Sequence, residues 1–363
     1  MAGARGTWDA RGADRRIGFA RWRSDVASGG NRYDDEVSAA LRTLGFDLRE
    51  YPVTGEWPVP GPGHRREFAS LLRAERCWLI ENIVGSAAPE AIAEATRAGR
   101  KVVMLMHYFP SDDSALPARE RTALAASEAE AVRTASTVVA TSAWTAREIA
   151  ARYGRTDALV AVPGVTRADP ARGSERDGGA PALLWLGRLT ETKDPLTLVD
   201  ALAGVGDLPW SARLVGPDTV DPELRRELLR RIERAGLGGR IEITGPRTGA
   251  ELEAIWARTD LLVHTARAEA YGMVVSEALA RGIPSIVPLG TGAVEAQQSA
   301  GAQFAPGDVE QLTGRLRGWL GDPELREHWR ARAAELRPRL PTWEAAAGAI
   351  AEAFTEKGSS PAE

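Results

Sequence analysis

The chain has 363 residues, enough for two domains of ordinary size. Apolar residues make up 44% of it and charged residues 26%, which excludes bulk disorder. The 46 basic and 50 acidic residues leave a net charge of −4, which argues against nucleic acid or anionic membrane as general partners. The single cysteine, Cys77, excludes a disulfide framework and a multi-cysteine metal site.

Nothing in the sequence predicts membrane insertion or export. No run of 18 apolar residues occurs, and residues 1–15 lack the apolar core of a signal peptide. We therefore expect a cytoplasmic protein, either a monomer or a homodimer.

Short apolar segments alternate with helical segments throughout the chain, in the pattern of parallel βαβ units. The predicted fold class is therefore α/β, with two doubly wound, Rossmann-like domains. In the first half, the predicted strands are 17–22, 46–53, 77–83, 101–106, 137–140 and 159–162. In the second half, they are 183–186, 212–215, 241–244, 261–264, 285–288 and 303–305.

A segment rich in Gly, Pro, Ser and charge separates the two halves and is predicted to be a linker. The predicted organisation is a flexible tail 1–15, a first domain 16–168, the linker 169–181, a second domain 182–340, a helix 341–356 that packs back on the first domain, and a flexible tail 357–363. Parallel sheets bind ligands at the carboxyl ends of their strands, so two facing domains predict a cleft between them.

The first candidate site follows the first strand of the second domain. Gly187 and Arg188 stand directly after that strand, and Lys193 stands five residues beyond Arg188, just before a helix. Two cations and free backbone amides at one strand end suit a diphosphate. Solvated loop charges are the alternative interpretation. The chain has only two other lysines, Lys101 and Lys357, which favours function.

The second candidate site follows the strand Leu-Leu-Val-His-Thr. Glu269 precedes a predicted helix and Glu277 lies about two turns into it, so both carboxylates can border one pocket. The start of the helix, around Gly272 and Met273, offers amides to phosphate. Taken alone, the segment favours a structural interpretation, in which one Glu at the helix start is stabilised by the helix dipole and the other is simply exposed.

Together these segments resemble the glycosyltransferase family 4 group, retaining enzymes with the two-domain GT-B fold. The segment EAYGMVVSEALARGIP matches the family's Glu-x7-Glu element, and Gly187, Arg188 and Lys193 match its donor-diphosphate element upstream. The segment 290–292, Gly-Thr-Gly, resembles the family's Gly-Gly turn, with Glu295 following it. His264 and Thr265 depart from the family's usual Pro-Ser.

The resemblance implies that the second domain binds a nucleotide sugar and that the first binds the acceptor. It assigns catalytic roles to His107, Arg188, Lys193 and Glu269. Beside these it assigns donor-binding roles to Gly29, Gly30, Asn31, Gly187, Thr244, Gly245, Tyr271, Gly272, Met273, Val274 and Glu277. Within these sets, Gly29 to Asn31 form a loop under the donor phosphates, His107 lies near the transferred sugar, and Thr244 and Gly245 receive the base.

The acceptor side carries less sequence information. The candidate acceptor residues are Trp57, Glu81, Asn82 and Ser142, with His64, Arg65 and Arg66 as further polar groups. Trp57 could stack on a ring-shaped acceptor or cover the edge of the core. Ser142 could equally be an ordinary helix N-cap.

The implied reaction is transfer of a hexose-like sugar from a nucleoside diphosphate, UDP or GDP, to a small soluble acceptor with an α-linkage. The resemblance implies no cofactor and no metal, and in keeping with this the chain contains no Asp-x-Asp. Cations and a helix N-terminus would stabilise the departing diphosphate instead.

Several alternatives stay open at this point. A lipid or a growing saccharide could be the acceptor, although the nearly neutral first domain argues against membrane docking. A nucleotide-sugar epimerase or a phosphorylase could use the same fold, and a non-enzymatic sugar-nucleotide-binding protein is a third class. A dinucleotide-dependent oxidoreductase is disfavoured because no Gly-x-Gly-x-x-Gly follows a strand.

Overall fold

A computed structural model describes residues 15–22, 28–113, 116–174 and 178–355. The predicted tails 1–15 and 357–363 lie outside these ranges except for Arg15. Within the described residues the strands are β1 Arg16–Arg21, β2 Asp47–Pro52, β3 Cys77–Glu81, β4 Lys101–Met106, β5 Thr137–Ala140, β6 Leu159–Val160, β7 Ala182–Leu186, β8 Ser211–Val215, β9 Ile241–Gly245, β10 Leu261–Val263, β11 Ser285–Pro288 and β12 Gly301–Phe304. The α-helices are α1 Gly29–Thr43, α2 Pro62–Leu71, α3 Asn82–Gly85, α4 Pro89–Arg97, α5 Ala118–Thr134, α6 Ala143–Tyr153, α7 Pro195–Ala203, α8 Pro222–Arg234, α9 Gly249–Ala257, α10 Met273–Ala280, α11 Ala293–Gln297, α12 Val309–Gly321, α13 Pro323–Leu336 and α14 Trp343–Glu352.

The strands form two separate parallel sheets. The first has the order β2-β1-β3-β4-β5-β6 and the second has the order β12-β11-β10-β7-β8-β9. Each sheet has helices on both faces, so the predicted α/β class with two doubly wound, Rossmann-like domains is confirmed.

Alternate residues of each central strand enter hydrophobic cores on opposite sides of the sheet. In β4, Val102, Met104 and Met106 join one core, whereas Val103 and Leu105 join the other. A strand buried on both faces reads as one continuous apolar run, which explains why the sequence KVVMLM lacks polar alternation.

The C-terminal helix α14 lies on the first domain, not on the second. Trp343, Ala347 and Ile350 of α14 pack in the same core as Ile17 and Phe19 of β1. The chain therefore crosses between the domains twice, once after β6 and once before α14.

The two domains also touch directly at the start of α6. Ser142 Oγ donates a hydrogen bond of 2.6 Å to the carbonyl of Ala270, and the Ala143 amide donates to Glu295 Oε2 at 3.0 Å. Gly292 permits this arrangement, since a Cβ there would lie 1.9 Å from the Ala270 carbonyl oxygen. These contacts hold the carboxyl ends of both sheets close to each other.

No helix among the described residues is both long and apolar enough to cross a membrane.

Candidate active site

A cavity of about 480 Å³ lies between the domains. The predicted site residues that line it are Gly29, Gly30, Asn31, Glu81, His107, Gly187, Arg188, Lys193, Glu269, Tyr271, Gly272, Met273, Val274 and Glu277. The predicted residues that do not line it are Trp57, Asn82, Ser142, Thr244 and Gly245. The structure thus brings together the residues of both second-domain motifs and the glycine loop of the first domain.

The centre of the second-domain wall is a three-residue charge cluster. Lys193 Nζ donates to Glu269 Oε2 at 2.6 Å, and His264 Nε2 lies 3.1 Å from the same oxygen. Burial alone would raise the pKa of Glu269, but Lys193 and His264 outweigh it and hold that pKa well below its usual range. Glu269 is therefore a fixed negative charge, and its Oε1 makes no hydrogen bond to the described residues.

Local backbone contacts hold Lys193 in place. The Thr265 hydroxyl donates to the Lys193 carbonyl at 2.9 Å, and the Arg267 amide donates to the Thr192 carbonyl at 2.8 Å. Asp194, directly after the lysine, caps α7 by accepting from the Thr197 amide at 3.2 Å. The loops after β7 and β10 are thereby tied together, so the two sequence motifs form one surface.

The first turn of α10 forms the adjoining part of the wall. Gly272 precedes the helix with φ of 85°, a left-handed conformation that favours glycine. This turn exposes the amides at the start of α10 to the cavity that Met273 and Val274 also line. Such amides attract phosphate oxygens.

Glu277 is held by a residue of the other domain. Its carboxylate forms an ion pair with Arg32 of α1, which bridges the mouth of the cavity. Burial raises the pKa of Glu277, while Arg32 and Arg281 oppose that rise. The carboxylate that the resemblance assigns to the donor is therefore paired through its Oε1 with Arg32 of the first domain.

The first-domain wall contains a buried ionisable pair that the sequence did not reveal. His107 Nε2 lies 2.7 Å from Asp34 Oδ1, and Arg21 Nε lies 3.6 Å from Asp34 Oδ2. Burial lowers the pKa of His107, but the Asp34 carboxylate overcomes this effect and the net shift is upward. Asp34 is completely buried, so it fixes the His107 ring and stabilises its positive charge from the protein interior.

Glu81 lies beside this pair at the carboxyl end of β3. Its Oε2 accepts a hydrogen bond of 3.0 Å from the Trp22 amide. Burial, followed by the charge of Asp34, raises the pKa of Glu81 to about 7. Potential ligand atoms of Asp34, Glu81 and His107 lie within 4.8 Å of one another, a spacing that a metal ion could use. The guanidinium of Arg21 already supplies a positive charge to Asp34 at this position.

Three of the predicted acceptor residues make structural contacts within the protein. Asn82 accepts from the His107 amide at 3.0 Å and donates to the Tyr108 carbonyl at 2.7 Å, so it joins the ends of β3 and β4. Trp57 is 4% exposed, and its ring meets Phe68 in the core at a centroid distance of 5.8 Å.

Ser142 is the third of these residues. Its Oγ accepts from the Thr145 amide at 2.9 Å as the N-cap of α6 and donates across the domain interface to Ala270. Trp57, Asn82 and Ser142 thus use their polar atoms within the protein and do not line the cavity, and their contact with an acceptor stays a prediction.

Thr244 and Gly245 lie at the end of β9, the edge strand of the second sheet. The Thr244 hydroxyl donates to the Gly245 carbonyl at 2.8 Å. Both residues lie outside the described cavity, so their contact with a nucleotide base stays a prediction. The same holds for the polar residues His64, Arg65 and Arg66 of α2, which also do not line the cavity.

Sequence reasoning missed Trp22, Arg32, Asp34 and Tyr108. A signal existed for Asp34, because it shares a helical face with the buried residues Val37, Ser38 and Leu41. A charged residue in an apolar stripe must find a partner. No comparable local pattern marks the other three, because they reach the cavity from the ends of separate elements.

Comparison with known proteins agrees with this geometry. Residues 166–336 match the family model described as Glycosyl transferases group 1. Mannosylfructose-phosphate synthase of Agrobacterium fabrum is 31% identical over 138 residues, which are 36% of this chain and 30% of that protein. The chain thus spans less than a third of that curated relative.

Solved structures resemble nearly the whole chain. Sucrose-phosphate synthase from Thermosynechococcus elongatus superposes with a TM-score of 0.77 at 18% identity, covering 93% of this chain and 97% of that one. Anabaena HepE, in complex with UDP and glucose, gives a TM-score of 0.73 at 19% identity, covering 93% and 98%.

The two sheets and the cavity between them define a GT-B-type protein. The match over residues 166–336, which lies mostly in the second domain, confirms the resemblance to the glycosyltransferase family 4 group.

Proposed function

We propose that this protein transfers a sugar from a nucleoside diphosphate to a small soluble acceptor with retention of the anomeric configuration, giving an α-linkage. The observation that carries the proposal is the cluster of Lys193, Glu269 and His264 beside Arg188 and the start of α10, all facing the same cavity as His107. The complex of Anabaena HepE with UDP and glucose supports a UDP-linked hexose donor, with GDP as the second choice.

In this proposal the protein stabilises the leaving diphosphate by fixed positive charge. Arg188, Lys193 and the amides at the start of α10 supply that charge at the wall of the cavity. Cleavage of the bond between the anomeric carbon and the phosphate oxygen leaves both electrons on the diphosphate. The proposal therefore needs no metal ion and no cofactor.

The sugar is oriented by groups on both walls. Glu269 Oε1 is available to a sugar hydroxyl, because Lys193 and His264 hold only the other oxygen. His107 approaches from the first domain with its ring fixed by Asp34. The acceptor attacks from the face that the diphosphate leaves, and a phosphate oxygen takes the acceptor proton, so Glu269 orients the sugar without forming a covalent intermediate.

Product analysis tests this proposal. Nuclear magnetic resonance of the product made from an α-linked donor should show an α-linkage, with one nucleoside diphosphate released per linkage formed. A β-linkage would overturn retention. Formation of an epimer without any acceptor, or a strict need for inorganic phosphate, would point to an epimerase or a phosphorylase.

A chelator experiment tests metal independence. Turnover should persist in excess EDTA. Loss of activity that returns with added divalent cation would contradict the proposal and direct attention to Asp34, Glu81 and His107, the group whose ligand atoms lie close enough for a metal.

A soluble acceptor, a cytoplasmic location and a monomeric or dimeric state belong to the same proposal. Transfer to a lipid or to a growing saccharide is the alternative, which acceptor screening would reveal.

A further inference from the structure

The acceptor side of the cavity is built on three adjacent strands. In the first sheet β3 lies between β1 and β4. Trp22 directly follows β1, Glu81 ends β3, and Tyr108 follows β4 by two residues, and all three line the cavity. The three residues therefore lie at the same edge of the sheet, across the cavity from Lys193 and Glu269.

The three residues are held in place by contacts outside the cavity. The Trp22 indole donates to the Gly55 carbonyl at 2.8 Å, and the Trp22 amide donates to Glu81 Oε2. Asn82 fixes the backbone of Tyr108 by donating to its carbonyl. A site built from such fixed groups loses little conformational entropy when a ligand binds.

Two polar atoms of this group are left for a ligand. Glu81 is 6% exposed, yet its Oε1 makes no hydrogen bond to the described residues. The Tyr108 hydroxyl makes none either within the described part of the chain. A buried carboxyl oxygen that faces a cavity without a partner gains a hydrogen bond when a ligand donates one.

The charged groups around this position have both signs, because His107 lies within 4.8 Å of Glu81 and Arg188 is close to Tyr108, but the group that offers a free oxygen is the carboxyl of Glu81. Glu81 and Asp34 lie next to each other, and Arg21 is already engaged by Asp34, Asp35 and Glu50. A phosphate or carboxylate placed against Glu81 would meet a like charge. A hydroxyl or an ammonium group would meet a hydrogen-bond acceptor.

We propose that Trp22, Glu81 and Tyr108 form the acceptor subsite, and that it selects a compact ring that donates a hydrogen bond to Glu81 Oε1 and carries no anionic group there. The Trp22 and Tyr108 rings supply apolar surface for the ring of the acceptor. This assignment rests on the proposed function, because it names the acceptor class of the same reaction.

The test uses matched acceptors with the donor that the protein binds best. Glucose, fructose and glucosamine are compared with glucose 6-phosphate and fructose 6-phosphate by the rate of nucleoside diphosphate release. We expect kcat/KM for the best neutral or amino acceptor to exceed that for the phosphorylated ones by at least about tenfold, the equivalent of one charged hydrogen bond.

The variant Glu81→Gln tests the contribution of the Glu81 charge alone. Its amide oxygen can still accept from the Trp22 amide, so the fold is preserved while the charge is removed. We expect kcat/KM for the preferred acceptor to fall by about tenfold, with the KM of the donor within about twofold of its original value. The control is Glu75→Gln, which removes a buried carboxylate that precedes β3 at its opposite end and should leave both constants unchanged.

Three results would overturn the assignment: preference for the phosphorylated acceptors, unchanged acceptor kinetics in Glu81→Gln, or no use of any panel member while the donor is bound and slowly hydrolysed. If the donor neither binds nor is hydrolysed, the proposed function itself fails. Donor binding measured without acceptor separates the two kinds of failure.

Discussion

The two walls of the cavity are built in different ways. On the second-domain wall, Arg188, Lys193, Glu269 and Glu277 come from two continuous sequence motifs, each a strand end followed directly by a helix. On the first-domain wall, the polar groups come one at a time from the ends of separate elements, and the ionisable pair of His107 and Asp34 joins a strand end to a helix 73 residues away in sequence.

The difference follows from what each wall has to bind. A diphosphate needs several positive charges and backbone amides within a few ångströms, and a strand-loop-helix unit can supply them from neighbouring residues. An acceptor needs only a few hydrogen bonds and a surface of the correct shape, which any set of adjacent loops can supply. Variants on the two walls should therefore have separable effects.

The largest effect is expected from Lys193→Ala. It removes a cation from the diphosphate side and leaves the buried charge of Glu269 with His264 alone. We expect kcat/KM to fall by about 10²- to 10³-fold, as for loss of one group that stabilises developing charge. Arg188→Ala should act in the same direction. The control is Lys101→Ala at the start of β4, far from the cavity, and equal losses in Lys193→Ala and Lys101→Ala would refute the assignment.

A smaller loss is expected on the first-domain wall. His107→Ala should lower kcat by about 10- to 100-fold and leave the KM of the donor nearly unchanged, because the proposed function places the imidazole beside the transferred sugar and away from the nucleotide. Asp34→Asn should lower kcat less and move the pH profile, since Asp34 acts through His107. Unchanged pH dependence in Asp34→Asn would show that the pair is only structural.

The ion pair across the mouth of the cavity predicts opposite effects for its two partners. Glu277→Ala should weaken donor binding by about tenfold, because it removes the carboxylate that the proposed function assigns to the hydroxyl groups of the donor. Arg32→Ala should leave donor affinity unchanged or raise it by a few-fold. Without the guanidinium, the Glu277 carboxylate is no longer paired and can accept hydrogen bonds from the donor. Isothermal titration with the donor's nucleotide checks both, and weaker binding in Arg32→Ala would mean that Arg32 itself contacts the donor.

Thermal stability should fall as the pH rises from 5.5 to 8. The pKa of Glu81 is raised from 4.5 to about 7, and that of His107 is also raised, so the folded protein binds more protons than the unfolded chain over this range. The stabilisation that protonated His107 supplies is complete below the unfolded pKa and disappears as the pH passes the folded one. The lowered pKa of Glu269 has its effect only in acid, outside this range.

We expect Tm to drop by about 3 °C across that pH range, the size expected for a chain of this length from about 2 kcal/mol. Scanning calorimetry of wild type and Glu81→Gln measures it, and the variant should show a smaller drop. A wild-type Tm that rises with pH over this range would contradict the charge assignment of the first-domain wall.

The smallest effect is expected from Ser142→Ala. It removes the N-cap of α6 and the hydrogen bond to Ala270, which should lower the free energy of unfolding by about 1 kcal/mol. Acceptor KM should stay unchanged, because Ser142 does not line the cavity. A clear increase in acceptor KM would restore the role that the sequence analysis gave this residue.

The sequence predicted the fold well because strands buried on both faces are continuous apolar segments. Every predicted strand has a counterpart within two residues at each end, including the short strands β6 and β10. The residues of the second-domain wall were equally predictable from the sequence, since Glu269 and Glu277 are eight residues apart in one loop and helix.

Of the four acceptor residues predicted from the sequence, only Glu81 lines the cavity, for a physical reason. Trp57 and Ser142 have the residue types of a ligand site, but tryptophan also fills cores and serine also caps helices. Only their hydrogen-bond partners distinguish these roles. Trp22 and Tyr108 gave no signal, because their position in the cavity depends on the order of β1, β3 and β4 in the sheet.

The most direct test of nucleotide-sugar binding between the domains is a thermal-shift panel of UDP, GDP, ADP, dTDP and their common sugars with wild type and Lys193→Ala. A ligand that binds only the folded protein raises Tm. At a concentration of 100 times its Kd, it adds about 2.7 kcal/mol to the free energy of unfolding. We predict a clear shift with one nucleotide, UDP first, that is strongly reduced in the variant. No shift with any nucleotide, or an equal shift in both proteins, would contradict the donor site described for this cavity.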